Sequence, residues 1–127
     1  FYARAEATAD ALTKETGCVI KLCDFNNMEQ LRRELADSAI VVNATSIGMA
    51  PETDACPIPS ADFLPEGIIV SDIIYNPKET KLLAMAQERE LPNFNGTFML
   101  LYQGAEAFRL WTGCEMPVQL IKENFFV

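Results

Sequence analysis

Two kinds of apolar segment alternate along this chain, and that alternation is the feature that most restricts its fold. Residues 39–42 form a continuous apolar run, and residues 68–74 repeat the pattern around Ser71 and Asp72. Both segments are rich in β-branched side chains, as expected of strands buried on both faces of a sheet. Other segments have helical spacing, as in Met28, Leu31 and Leu35. Strands that alternate with helices in this way predict an α/β fold with a parallel sheet covered by helices on both faces.

Capping residues and turn residues set the expected boundaries of these elements. Gly17 and Gly113 stand where helices should end, while Asn26 or Asn27, and Thr80, are suitable N-caps. The sequence predicts strands at residues 18–25, 39–42, 68–74 and 92–94, and helices at residues 5–15, 27–36, 81–89, 98–111 and from 117 onward.

This order matches the second part of a doubly wound dinucleotide-binding domain, a partial Rossmann-like sheet against which the C-terminal helices pack back. The first strand and its glycine-rich turn would then precede Phe1, and Phe1 with Tyr2 would be the tail of the second strand. Because the chain opens on an apolar residue without an initiator methionine, we expect residues 1–127 to be a piece of a longer protein.

Composition disfavours several classes of partner. With 18 acidic side chains against 10 basic ones, the net charge of −8 disfavours nucleic acid and anionic membranes. No apolar run approaches the roughly 20 residues that a membrane span needs. The four cysteines lack zinc-site spacing and there is no histidine, so we expect no metal site. Free thiols packed as apolar groups predict a reducing, cytoplasmic location.

The candidate site residues follow the predicted strands, since ligands of open parallel sheets bind beyond the carboxyl ends of the strands. After residues 39–42 come Asn43, Ala44, Thr45 and Ser46, whose amide and hydroxyl groups can hydrogen-bond a ribose or a diphosphate. An alternative is a turn in which these side chains bond their own backbone. Both interpretations stand on the sequence alone.

Tyr75 and Gln103 are the candidates for substrate contact. Tyr75 follows the second apolar run, where its phenol could donate to a ligand or be the wet tip of a half-buried core residue. Gln103 shares a helix face with Met99 and Ala107, so we expect it to be buried and to need a partner. That partner would be a backbone group or a substrate hydroxyl.

Arg4 would lie at the adenine ribose if Phe1 and Tyr2 end a strand. An arginine there favours NADP, whereas an acidic residue would favour NAD, and residues 1–5 contain no acid. The sequence has no GxGxxG motif, no histidine base and no Ser/His or Cys/His pair. We assign structural roles to Asp72 and Lys78 and predict no catalytic residue, so this part alone should be inactive.

In this order and spacing, these segments resemble the shikimate dehydrogenase family, which includes the quinate/shikimate dehydrogenases. The resemblance covers nearly the whole chain. The matching residues are Asn43-Ala44-Thr45-Ser46, Gly48-Met49, Asp72, Tyr75-Asn76-Pro77, Thr80-Lys81-Leu82-Leu83, Gly96, Met99-Leu100, Gln103-Gly104-Ala105, Phe108 and Leu110-Trp111-Thr112-Gly113.

The resemblance implies an oxidoreductase that interconverts 3-dehydroshikimate and shikimate with NADP in aromatic amino acid biosynthesis. It assigns seven residues to the cofactor and two to the substrate. The cofactor residues would be Arg4 at the adenosine 2′-phosphate, Asn43, Ala44 and Thr45 beside the dinucleotide, and Ile73, Gly96 and Met99 along the nicotinamide. Tyr75 and Gln103 would bond the substrate. The family's catalytic lysine and aspartate belong to an N-terminal substrate domain.

Two positions depart from the family pattern. Alanines flank Arg4 where the family has polar side chains, which weakens the preference for NADP, and Phe98 replaces a glycine, so its ring could crowd the nicotinamide. Three alternatives follow: a quinate/shikimate dehydrogenase that uses NAD, a non-catalytic metabolite-sensing module on the same fold, and the dinucleotide domain of another two-domain dehydrogenase.

Overall fold

The computed structural model describes residues 2–125, and at positions 2 and 3 it describes the backbone alone. The chain divides into two compact units, Phe1–Asp37 and Ser38–Val127. The first unit contains two helices, and the second contains the sheet and the other helices. Among the described residues, no helix has the length and apolar character that crossing a lipid bilayer requires.

Two helices make up the first unit, α1 at Tyr2–Thr16 and α2 at Met28–Ala36, as the sequence predicts. Gly17 ends α1 in the left-handed region at φ 73°, and its N–H bonds back to the last turn at 2.9 Å. Asn27 caps α2, because its Oδ1 accepts from the backbone N–H of Gln30 at 3.0 Å. Both helix boundaries therefore follow from local chemistry.

Helix α2 buries a narrower stripe than its spacing predicts. Leu31 and Leu35 are buried, but Met28 is 42% exposed. Met28 is the first residue of the helix, so its side chain lies beyond the surface that the two leucines cover. The amphipathic interpretation holds for the two leucines and is wrong for Met28.

The strand predicted at residues 18–25 is wrong, since this segment has no regular secondary structure. Val19 within it is 82% exposed. A strand needs a neighbour for its backbone hydrogen bonds, and residues 2–37 provide no second extended segment. The expected strand tail at the start is also wrong where it can be checked: Tyr2 begins α1, and Phe1 lies outside the described residues.

The sheet of the second unit has three parallel strands in the order β1-β2-β3. They are β1 at Ile40–Asn43, β2 at Ile69–Asp72 and β3 at Asn93–Phe94. Ile40 lies opposite Ile69, and Ser71 lies between Val42 and Phe94. The α/β class, the parallel sheet and these three strands are thereby confirmed, with each strand shorter than its apolar run.

The remaining helices of this unit also agree with the sequence. Thr80 caps the helix after β2, its Oγ1 accepting from the N–H of Leu83 at 3.4 Å, and Gly113 stops the long helix that follows β3. A short 3-10 turn spans Ala61–Phe63. The helices are α3 at Lys81–Glu88, α4 at Thr97–Thr112 and α5 at Val118–Phe125.

One face of the sheet is well buried and the other is open. Val70 in β2 and Leu82 in α3 are almost fully inaccessible, and α3 packs against β2 and β3. Side chains alternate along a strand, so Ile40, Val42 and Ile69 share the opposite face. They are 46%, 50% and 38% exposed. The prediction that β1 is buried on both faces is therefore wrong within the described unit.

Candidate functional site

A cavity of about 670 Å³ opens at the carboxyl ends of β1 and β2. Its walls are the loop after β1, the loop after β2 and the first turn of α4. This is where open parallel sheets bind ligands, and the volume suits a small molecule or part of a cofactor. The lining residues are Ala44, Thr45, Ser46, Met49, Ala50, Ile73, Ile74, Tyr75, Asn76 and Met99.

Asn43 is buried at the end of β1 and fixes the loop that follows it. Its Nδ2 donates to the backbone oxygen of Ile47 at 3.0 Å, and its Oδ1 accepts from the N–H and the hydroxyl of Thr45 at 3.1 and 2.7 Å. Of the two interpretations left open by the sequence, the self-bonded turn is the one that the structure shows for Asn43. Ala44 and Thr45 themselves line the cavity.

Asp72 ends β2 and is 1% exposed. Its carboxylate accepts from Asn43 Nδ2 at 3.2 Å, from the N–H of Ile74 at 3.0 Å and from the hydroxyl of Thr80 at 2.7 Å. Sequence analysis gave Asp72 a structural role only. A signal was present, since a carboxylate inside the apolar run 68–74 must be buried and needs hydrogen-bond donors.

Gly96 packs the start of α4 closely against the loop after β2. Its N–H donates to the backbone oxygen of Ile74 at 3.0 Å, and a Cβ at this position would lie 1.9 Å from the oxygen of Ile73. Only a residue without a side chain allows that approach. Asn95 adds a second link, from Nδ2 to the backbone oxygen of Lys78 at 2.8 Å. Gly96 therefore lies behind the cavity wall.

Tyr75 and Met99 stand at the mouth of the cavity. Their side chains are 49% and 51% exposed, so the phenol and the thioether can both reach a bound molecule. Ile73 and Ile74 add apolar side chains to the cavity lining. The arrangement offers an apolar surface for a flat ring beside the phenol of Tyr75, while the Thr45 hydroxyl donates to Asn43 Oδ1 and accepts from the N–H of Ile47.

The prediction that Gln103 is buried is wrong. Gln103 is exposed, and the one buried residue of the described α4 is Leu101. The expected apolar face is not buried, since Met99 on the same face is 51% exposed. Gln103 nevertheless lies one helical turn after Met99 on the same side of α4, although it is not among the cavity residues.

Arg4 belongs to the first unit and lies in α1, not after a strand. The expected strand end gives way to a helix because residues 3–16 are rich in strong helix formers. Arg4 is exposed and, with Thr8, Leu12 and Ile20 among others, it lines a cavity of about 500 Å³ in that unit.

Phe98 does not face the cavity after β1 and β2 and is not among its lining residues. Its ring lies under the ammonium group of Lys122 in α5, 4.7 Å from the ring centroid. The crowding expected at this departure from the family pattern is therefore not seen in the cavity wall.

No histidine, cysteine, carboxylate or ammonium group is among the residues that line the cavity. Within residues 2–125, no cluster of three or more histidine, cysteine, aspartate or glutamate side chains is placed to hold a metal ion. Burial raises the pKa of the nearby Cys56 thiol, and the charge of Asp72 adds to that shift, while the Ile58 backbone and Lys81 oppose it. The arrangement is suited to binding and orienting a molecule. In fold and site together, the second unit is of the Rossmann-like class, with its ligand site at the strand ends.

Comparison with known proteins agrees with this class. A family model described as the Shikimate 5′-dehydrogenase C-terminal domain matches residues 96–123. A shikimate dehydrogenase (NADP(+)) of Listeria monocytogenes is 47% identical over 126 residues, which is 99% of this chain and 43% of that protein. Over nearly its whole length the chain is similar to the shikimate dehydrogenases, and it spans less than half the length of this relative.

Solved structures show the same likeness. The crystal structure of a Listeria monocytogenes shikimate 5-dehydrogenase with shikimate and NAD has a TM-score of 0.87 at 47% identity, covering 97% of this chain and 43% of that one. A quinate dehydrogenase from Corynebacterium glutamicum with NAD has a TM-score of 0.79 at 32% identity, covering 98% and 43%.

Proposed function

We propose that this chain is the nucleotide-binding part of an NADP-dependent shikimate dehydrogenase. That enzyme would interconvert 3-dehydroshikimate and shikimate by hydride transfer, in aromatic amino acid biosynthesis. The observation that carries the proposal is the cavity at the strand ends, which gathers Thr45, Ile73, Tyr75 and Met99. The name of the Listeria relative, an NADP(+) enzyme, supports the choice of cofactor.

We further propose that residues 1–127 form the C-terminal part of the nucleotide-binding domain of a longer protein. A substrate domain before it would supply the lysine and aspartate that the family uses for catalysis. The relatives' greater length is consistent with this arrangement, since the chain spans 43% of the Listeria enzyme. On this proposal the 127 residues alone do not turn over substrate.

The cavity fits a nicotinamide ring. Ile73 and Met99 would supply apolar surface for the ring faces, Ala44 would leave room beside it, and Thr45 would lie beside the ribose. Bound NADPH would supply the hydride. Tyr75 and Gln103 would orient the reacting carbon, which is the carbonyl carbon of 3-dehydroshikimate in reduction and the carbinol carbon of shikimate in oxidation. Their hydrogen bonds to the substrate hydroxyls or carboxylate would raise the rate by fixing the distance of approach.

The other assigned residues support the cofactor less directly. Asn43 and Gly96 shape the walls, as their hydrogen bonds indicate. Arg4 would pair with the 2′-phosphate of NADP, for which its exposed guanidinium is available. We also propose a cytoplasmic location, which the free state of all four cysteines supports.

A quinate/shikimate dehydrogenase using NAD is the second candidate. Ala3 and Ala5 beside Arg4 provide no additional donors for a 2′-phosphate. The likeness to the NAD-bound quinate dehydrogenase points the same way. The two candidates share the cavity and differ in cofactor and substrate.

Steady-state assays of the complete protein test both candidates. Shikimate and quinate are each oxidised with NADP⁺ and with NAD⁺, and absorbance of the reduced nicotinamide is followed. We expect the highest kcat/KM with shikimate and NADP⁺. Highest turnover with quinate and NAD⁺ would favour the second candidate. No turnover in any combination, together with retained shikimate binding, would indicate a non-catalytic metabolite sensor.

A further inference from the structure

Asp72 connects more of the site than any residue that faces the cavity. It accepts hydrogen bonds from three segments: Asn43 at the end of β1, Ile74 in the loop after β2 and Thr80 at the start of α3. An ionised carboxylate this deeply buried is costly unless its lone pairs are satisfied. Here both oxygens have donors, and each of them bonds to Asn43.

The Asp72 carboxylate also determines which way Asn43 points. An ionised aspartate only accepts hydrogen bonds, so Asn43 must turn its NH₂ group toward it. The carbonyl Oδ1 of Asn43 is then left for the N–H and hydroxyl of Thr45. The loop after β1 is thus held in place by Asp72 through the amide of Asn43.

On the other side, Asp72 sets the second wall. Its Oδ1 holds the N–H of Ile74, and the carbonyl of Ile74 in turn accepts from the N–H of Gly96. The backbone from Ile73 to Tyr75 is therefore fixed between the end of β2 and the start of α4. The loop after β1 and the loop after β2 therefore both depend on Asp72, whose side chain is not part of the cavity lining.

We infer that Asp72 is a positioning residue for nucleotide binding, acting through Asn43 and Ile74 on the two loops that would hold the nicotinamide. This inference rests on the function proposed above. The carboxylate of Asp72 only accepts hydrogen bonds, and this property fixes the geometry of the two loops. The geometry of the loops in turn sets the affinity for the nucleotide. In either orientation, the nitrogen of an amide at this position would face the Asn43 Nδ2 donor, because Asn43 contacts both carboxylate oxygens, so the link to the loop after β1 would weaken. With its nitrogen at the Oδ1 position, the amide would also oppose the N–H of Ile74.

The test compares Asp72→Asn with Asp54→Asn in the complete protein. Asp54 is an exposed aspartate in the same unit, so it controls for the change of charge. NADPH is titrated, and its fluorescence is followed. We expect about a tenfold or larger rise in Kd and a weaker fluorescence enhancement at saturation for Asp72→Asn, and less than a twofold change for Asp54→Asn. An unchanged Kd and enhancement in a folded Asp72→Asn protein would overturn the inference.

Hydrogen exchange without nucleotide separates this inference from the proposed function. Peptides covering residues 43–47 and 73–76 should exchange faster in Asp72→Asn, while residues 28–36 in α2 should not change. If the wild-type protein fails to bind NADPH, the proposed function fails, and the exchange result still decides whether Asp72 holds the loops. Unchanged exchange in both loops would contradict the inference.

Asn43→Ala provides a second variant should Asp72→Asn not fold. It removes the link to the loop after β1 and leaves the bonds of Asp72 to Ile74 and Thr80 in place. We expect faster exchange at residues 43–47 only, with a several-fold weaker affinity for NADPH. Equal affinity to wild type would count against the inference.

Discussion

The two loops of the cavity and helix α4 contribute to the same site but are stabilised in different ways. The loops are held by hydrogen bonds to two buried polar side chains, Asn43 and Asp72, which are almost inaccessible. Helix α4 buries Leu101 but exposes Met99, Leu110 and other large apolar side chains. The loops are thus shaped by this chain's own hydrogen bonds, whereas the apolar surface of α4 gains most from an added molecule or chain.

This difference has a consequence for binding. A preformed loop needs no ordering when a ligand arrives, so its contacts contribute most of their free energy to affinity. Met99 joins the cavity because Gly96 lets the start of α4 approach Ile73 closely. Side chains further along α4 have no comparable restraint from the loops. Affinity for the nucleotide should therefore depend strongly on the loop network and weakly on the rest of α4.

The largest difference in stability is expected between a truncation in the packed core beside the sheet and a truncation on the exposed surface of α4. Leu82 in α3 is 1% exposed, whereas Leu110 in α4 is 68% exposed. We expect Leu82→Ala to lower the free energy of unfolding by about 2–5 kcal/mol, because it leaves a cavity in the core. Leu110→Ala should change it by less than about 0.5 kcal/mol. Urea denaturation measures both, and equal losses would contradict the comparison.

Gly96→Ala tests the junction between the loops and α4. The added methyl group would overlap the backbone oxygen of Ile73, so the loop or the helix must move. We expect a loss of about 1–3 kcal/mol in stability and at least a tenfold weaker affinity for NADPH. Gly104→Ala is the matched control, because a Cβ there meets open space, and it should stabilise α4 by about 0.5–1 kcal/mol. Normal NADPH binding by Gly96→Ala would refute the role of this contact.

Tyr75→Phe addresses the substrate side of the site. Removal of the phenol hydroxyl should raise the KM for shikimate about tenfold in the complete protein, and leave the KM for NADP⁺ within twofold. Tyr102→Phe removes the same group from α4, where Tyr102 is similarly exposed and lies outside the cavity lining, and should change neither constant. A change in both constants for Tyr75→Phe would indicate that the hydroxyl supports the loop instead of the substrate.

Local signals in the sequence predicted most of the fold. Helices α1 to α5 and strands β1 to β3 follow from apolar runs, caps such as Asn27 and Thr80, and glycine stops such as Gly17. These features act within a few residues of the chain. The strand at residues 18–25 was wrong because a strand also requires a neighbour, which its own sequence does not encode.

The site was predictable in position more than in detail. The family resemblance contributed Ile73 and Met99. The rule that ligands bind beyond strand ends led to Thr45 and Tyr75, which line the same cavity. It could not distinguish Ala44, which lines the cavity, from Asn43, which lies beneath it. That distinction depends on which partners a side chain meets after folding. Helix periodicity alone predicted that Gln103 is buried. Gln103 is exposed because this face of α4 is not covered by other parts of the described chain.

Phe98→Ala should have the smallest effect on stability and on NADPH affinity, and it tests whether neighbouring residues of α4 differ in their roles. Phe98 is one residue before Met99, yet its ring contacts Lys122 of α5 and does not line the cavity. Loss of this half-exposed cation–π contact should cost about 0.5–1 kcal/mol in stability. NADPH affinity should change by less than twofold, as measured by calorimetric titration, with Lys122→Gln as the control that removes the cation and keeps the ring. If Phe98→Ala instead altered NADPH affinity several-fold while Lys122→Gln did not, the ring would have to contact the nicotinamide, and α4 would join the loops as a determinant of affinity.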